Sequence, residues 1–92
     1  MPNTKELREQ IETIDEEIID LIATRMEIAD ELAKAKKQSA QGYWDEEKEH
    51  EVIQRYRELC EEVSLSESEA DMIAEVLLAI SKERQKHLFE SK

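Results

Sequence analysis

Arg25 stands in a helical series whose neighbouring positions, Ile14, Ile18, Leu21, Ile28 and Leu32, are all aliphatic. A long stem that packs while its head reaches water accounts for such an arginine. A ligand-facing cation accounts for it equally well. Lys36 lies eleven residues further on, almost three helical turns, so it projects from nearly the same face about 16 Å along the axis. Alone it reads as a solvated lysine near a helix C-terminus, where the helix dipole favours a cation. Together, the two cations could bracket a small anion. Two further pairs lie four residues apart on otherwise apolar faces: Asp45 with Glu49, ahead of Val52 and Tyr56, and Ser81 with Gln85, between Leu78 and Leu88. Asp45 can be a plain helix cap, and Ser81 can bond back to its own helix. Glu49 and Gln85 have no such local explanation, and inward polar groups need partners. The sum is a set of cations and neutral donors with one carboxylate, a composition suited to a small polyanion.

Nucleophilic catalysis has no support in this inventory. Ser81 has no histidine within helical reach, and Cys60 sits among Leu59, Glu61 and Glu62 without a cationic activator among them. His50 and His87 fall on polar faces and read as solvated. Two histidines and one cysteine give no zinc-ligand spacing, so no metal is expected. Trp44 reads as a packing cover for the loop ahead of Asp45.

The elements that must hold these residues are helices. One glycine and one proline in 92 residues, with 40% charged residues, argue for a few long helices in one domain, residues 1–92, and against a β-fold. Apolar residues at Leu7, Ile11, Ile14, Ile18, Leu21, Ile28, Leu32 and Ala35 alternate in fours and threes, broken only by Arg25. They predict a first helix from about Thr4, its N-cap, to Gln38, before the SAQG segment. A second helix is predicted from its cap at Asp45 to about Glu62, with an inward stripe Glu49, Val52, Tyr56, Leu59 and Val63. Ser66 and Glu69 form a capping box that opens a third, running to about Phe89. Its stripes are Ile73, Leu77 and Ile80, and Ala74, Leu78, Ser81, Gln85 and Leu88.

A first helix of that length spans roughly 50 Å, whereas a compact globule of this size is only about 30 Å across. The protruding apolar stripe therefore needs a second copy, most simply a twofold-related one in which the long helices pair, giving a dimer. Arg8 lies seventeen residues before Arg25, about 25 Å away on the same helix, too far to share one small ligand. On a lone chain it reads as a surface residue. In an antiparallel dimer it approaches the partner's Arg25 region. A net charge of −11 disfavours nucleic acid, which needs a basic face. With no signal core and no membrane-length apolar run, the expectation is a soluble, cytoplasmic protein.

The segments LREQIETIDEEIIDLIATR, KAK ending at Lys36, WDEEKE and SKERQ, at their mutual spacing, resemble the small all-helical chorismate mutases from Leu7 to Leu88. The resemblance implies a monofunctional isomerase that converts chorismate to prephenate, in an intertwined dimer with two sites. It carries the family's ligand contacts, without a gap, onto Arg8 (supplied to the partner's site), Arg25, Lys36, Asp45, Glu49, Ser81 and Gln85. Where many members have a third arginine, this chain has Lys48, a point charge in place of a bidentate fork. The implied reaction is an intramolecular Claisen rearrangement that uses no cofactor. On that reading Arg25, the partner's Arg8 and Lys48 hold carboxylates, with Ser81 assisting. Lys36 and Gln85 donate to the ether oxygen, Glu49 accepts from the ring hydroxyl, and the backbone at Asp45 touches that hydroxyl too. Isochorismate pyruvate lyase, of the same fold, and a noncatalytic helical dimerisation module are the alternatives. Glu49 favours the mutase over the lyase, and three inward polar residues, Arg25, Lys36 and Gln85, disfavour the module.

Overall fold

The computed structural model describes residues 1–90, folded as three helices: α1 (Thr4–Gln38), α2 (Glu46–Glu62) and α3 (Glu67–Glu90). The helix limits agree with the predicted ones to within a residue or two, and the first cap is corrected. Asn3, not Thr4, is the N-cap: its side chain accepts from the Glu6 N–H at 2.9 Å, and the Glu6 carboxylate accepts from the Asn3 N–H at 3.3 Å. The reciprocal box needs an acid three residues on. From Thr4 that residue is Leu7, which has nothing to offer.

Both turns use one device. After α1, the Gln41 and Ala40 N–H groups return to the carbonyls of Lys36 and Lys37, at 2.9 and 3.3 Å, with Ala40 left-handed at φ 59°. After α2, Leu65 and Ser64 return to Cys60 and Glu61, at 2.9 and 3.3 Å, with Ser64 at φ 64°. This is the Schellman closure, in which the reversed residue lets two orphan carbonyls be satisfied. Gly42 lies two positions too late to serve. Asp45 caps α2 by accepting from the Glu47 and Lys48 N–H groups, and the expected box between Ser66 and Glu69 opens α3.

Helix α3 is the spine. It packs against both α1 and α2, which do not pack on each other among the described residues. It buries Ala70, Ala74, Leu77, Leu78, Ser81 and Gln85, while α1 contributes Met26, Ala29 and Ala33, and α2 contributes Cys60. A bidentate arginine–aspartate pair ties each contact. Arg57 grips Asp71 at 2.7 and 2.9 Å across α2 and α3, and Arg84 grips Asp30 at 3.1 and 2.6 Å across α3 and α1. These hydrogen bonds hold both aspartates below the usual carboxylate pKa.

The apolar stripe of α1 is not the face that packs within the chain. Met26, Ala29 and Ala33 each lie one residue beyond Arg25, Ile28 and Leu32, so the in-chain face is turned by about 100° from the stripe. Ile14, Ile18, Leu21, Ile28 and Leu32 remain 46–71% exposed, and every residue from 4 to 21 is exposed. On the other helices Leu59, Val63, Ile73 and Ile80, predicted inward, also face outward. The molecule measures 57 × 26 × 14 Å, with a radius of gyration of 16.5 Å against about 12 Å for a compact chain of this length. No helix among the described residues is long and apolar enough to cross a membrane.

Candidate active site

Because α1 and α2 are separated by α3, a cleft of about 260 Å³ opens between them with α3 as its floor. The wall from α1 carries Arg25, Ile28, Ala29, Leu32 and Lys36. Trp44, Asp45, Lys48, Glu49 and Val52 form the opposite wall, and Leu78, Ser81 and Gln85 form the floor. Seven of the eight residues expected from the sequence therefore meet here. The eighth, Arg8, lies on the exposed N-terminal half of α1 and does not line the cleft.

Spacing on α1 and α3 creates two cross-helix contacts at successive levels of the floor. Arg25 Nη1 donates to Ser81 Oγ at 2.7 Å, and the Ser81 hydroxyl donates to Met26 Sδ at 3.5 Å. Ser81 therefore bonds across to α1, not back to its own helix. One turn further along, Lys36 Nζ donates to Gln85 Oε1 at 3.2 Å. Gln85 thereby presents its carbonyl oxygen to a cation and keeps its Nε2 hydrogens as donors. Ser81 and Gln85 are 3% and 4% exposed, so the two contacts form a fixed, dry shelf under a cleft edged with positive charge.

The α2 wall is arranged differently. Asp45 commits its Oδ1 to the cap and also lines the cleft, and Glu49 is half-buried one turn along. Lys48 lines the rim, but its ammonium donates to Glu51 at 3.0 Å on the same helix, which raises its pKa. Trp44 corrects the sequence reading: it is part of the cleft wall, not only a cover for the loop. Its indole Nε1 is buried with no acceptor, and Lys82 Nζ lies 5.4 Å from its ring centroid. The adjacent Tyr43 packs on Phe89, ring centroids 5.9 Å apart, pinning the loop to the end of α3. Sequence reasoning missed Trp44 because a lone aromatic just before a cap has no periodicity to betray its direction.

His50 and His87 are exposed, and Cys60 is a buried free thiol away from the cleft lining. No group of three or more His, Cys, Asp or Glu among the described residues could hold a metal ion. What the cleft offers is a rigid set of donors and charges without a nucleophile in reach of a base. Such a site acts by holding one conformation of an anionic ligand and stabilising charge that develops within it.

The family model described as chorismate mutase type II matches residues 7–86. A protein of Methanocaldococcus jannaschii named chorismate mutase is 34% identical over 85 residues, covering 92% of this chain and 86% of the relative. The T-protein of Haemophilus influenzae is 32% identical over 83 residues, covering 90% of this chain but only 21% of its own length. No solved structure matches the chain significantly. The match with the family reaches into all three helices and covers every residue lining the cleft, and the chain belongs to the chorismate mutase type II family.

Proposed function

We propose that the chain is a chorismate mutase, rearranging chorismate to prephenate in the route to aromatic amino acids. The observation that carries this reading is the pairing of Lys36 with Gln85 beside Arg25 and Ser81 at the floor of one cleft. In the rearrangement the ether C–O bond breaks as a C–C bond forms between the enolpyruvyl arm and the ring. No proton need move. The barrier falls when the arm is held over the ring and when donors meet the negative charge growing on the ether oxygen. Lys36 and the Nε2 hydrogens of Gln85 are those donors in our assignment. Arg25, steadied by Ser81, takes a carboxylate, with Lys48 at the rim as a second contact. Glu49 accepts from the ring hydroxyl beside the Asp45 backbone.

The working unit in this proposal is a homodimer. Ile28 and Leu32 belong both to the exposed stripe of α1 and to the cleft lining. A second α1 laid along the stripe would thus also border the open side of the cleft. Large aliphatic residues exposed along an entire helix are the mark of an interface. Arg8 is adjacent to Leu7 at the far end of that stripe, so an antiparallel partner would carry its arginine toward the cleft and supply the remaining carboxylate contact.

The test is to mix the purified protein with chorismate and identify the product. Prephenate supports the reading. Turnover of isochorismate to salicylate and pyruvate, without action on chorismate, would replace it with the lyase. Inertness toward both compounds would leave a dimerisation module.

A further inference from the structure

The wall formed by Trp44, Lys48 and Glu49 is short of directional donors. Lys48 contributes a point charge whose ammonium is drawn 3.0 Å onto Glu51. Beside it is the one buried side-chain polar atom among the described residues with no hydrogen-bond partner, Trp44 Nε1. An indole N–H stripped of water and left unpaired is unfavourable, and each such group in a native fold calls for an explanation. Packing alone does not supply one. Tyr43 already anchors the loop on Phe89, and a ring without an N–H would fill the same wall without the penalty. The Lys82 ammonium over the indole face steadies the ring and, by withdrawing electron density, strengthens its N–H as a donor.

We propose that Trp44 is a substrate-binding residue whose indole N–H donates to a carboxylate of the bound dianion on the α2 side of the cleft, making good the directional contact that Lys48 lacks. This rests on the reading of the cleft as a dianion site. The nitrogen is shielded in the free chain, so donation requires the indole to swing toward the cleft as the ligand enters. Because the nitrogen is shielded from solvent beforehand, little desolvation opposes the new bond.

Trp44 is the single tryptophan of the chain, so its indole resonance is unambiguous. In ¹⁵N-labelled wild-type protein titrated with prephenate, which binds without further reaction, the indole proton should move downfield. In parallel, Trp44→Phe keeps a ring under Lys82 but removes the N–H. It should raise KM for chorismate about tenfold, the scale of one charge-assisted hydrogen bond, with kcat within about twofold. An indole signal unmoved at saturation, or already at its hydrogen-bonded position before ligand is added, overturns the proposal. So does a Trp44→Phe enzyme with unchanged KM. Turnover of chorismate by the wild type is measured first. If prephenate forms and the indole signal stays still, only the Trp44 assignment fails; if neither chorismate nor isochorismate is turned over, the dianion-site reading fails with it.

Discussion

The two halves of α1 share one helix and one aliphatic series, yet the chain treats them oppositely. From Met26 to Lys36 the helix leans on α3 through small residues, Ala29 and Ala33. That close approach brings Arg25 within 2.7 Å of Ser81 and Lys36 within 3.2 Å of Gln85. From Thr4 to Leu21 every residue is left exposed by the described chain, although Leu7, Ile11, Ile14 and Ile18 are as apolar as anything in the core. The contrast teaches that bulk and burial are decoupled here. Small residues face inward where the chain packs on itself, and large ones stay exposed along the half that it leaves uncovered, the face our proposed dimer would use.

The sharpest way to break this contrast is in the unsupported half. Ile14→Asp combined with Ile18→Asp removes four aliphatic side chains from a dimer, at about 2 kcal/mol each, so association should weaken by roughly a millionfold. Sedimentation should then show monomer at micromolar concentration, and mutase activity should vanish with the dimer. Full activity in a proven monomer would show that the N-terminal half of α1 is not part of the catalytic unit.

In the supported half, Lys36→Ala should lower kcat by about a hundredfold or more with a smaller change in KM, since its donor meets charge that exists mainly in the transition state. The two halves can be set against each other directly. Arg8→Ala and Arg25→Ala should each be nearly inactive, yet a co-refolded equal mixture should recover about a quarter of wild-type activity, because half of the dimers then carry one intact site of two. No recovery, with mixed dimers shown by mass spectrometry, would place Arg8 outside the site.

A smaller effect is expected at the rim. Glu51→Gln releases Lys48 from its in-helix partner and should lower KM by about two- to fivefold, leaving kcat unchanged. The smallest concerns the ties to α3. Asp30 and Asp71 are held below the ordinary aspartate value of 3.8 by Arg84 and Arg57. A depressed carboxylate pKa stabilises the fold at pH above that ordinary value, and the contribution disappears as pH falls through the lower folded one. Thermal unfolding followed by circular dichroism should show Tm falling between about pH 5 and about pH 3. Asp30→Asn and Asp71→Asn should each flatten that fall.

Much of this was legible before any coordinates, for a physical reason. Polar groups at positions where helical periodicity demands apolar ones stand out, and Arg25, Glu49 and Gln85 stood out in that way. The length of α1 likewise announced that one chain could not cover it. The inner face of α1 was not legible, because alanines beside isoleucines look like the weaker side of an amphipathic helix, and the single-chain fold uses that weaker side. Lys48 had no periodic signal and entered only through family resemblance. The N-cap was misplaced by one residue because Thr4 and Asn3 are both good caps, and only the acid three positions on decides between them.

The central position of α3 also sets an order of assembly. Its ties to α2 are local in the chain: Arg57 and Asp71 are 14 residues apart. Its ties to α1 span 49 to 56 residues, through Lys36–Gln85, Asp30–Arg84 and Arg25–Ser81. Closing the longer loop costs more chain entropy before any contact rewards it. The α2–α3 hairpin is therefore expected to form first and α1 to dock second, and in the proposed dimer the bimolecular step comes last. Refolding should show a fast phase independent of protein concentration, in which helix returns, and a slower concentration-dependent phase, in which activity returns. A nascent chain would thus regain its shape well before its chemistry, with the interval set by how soon it encounters another copy of itself.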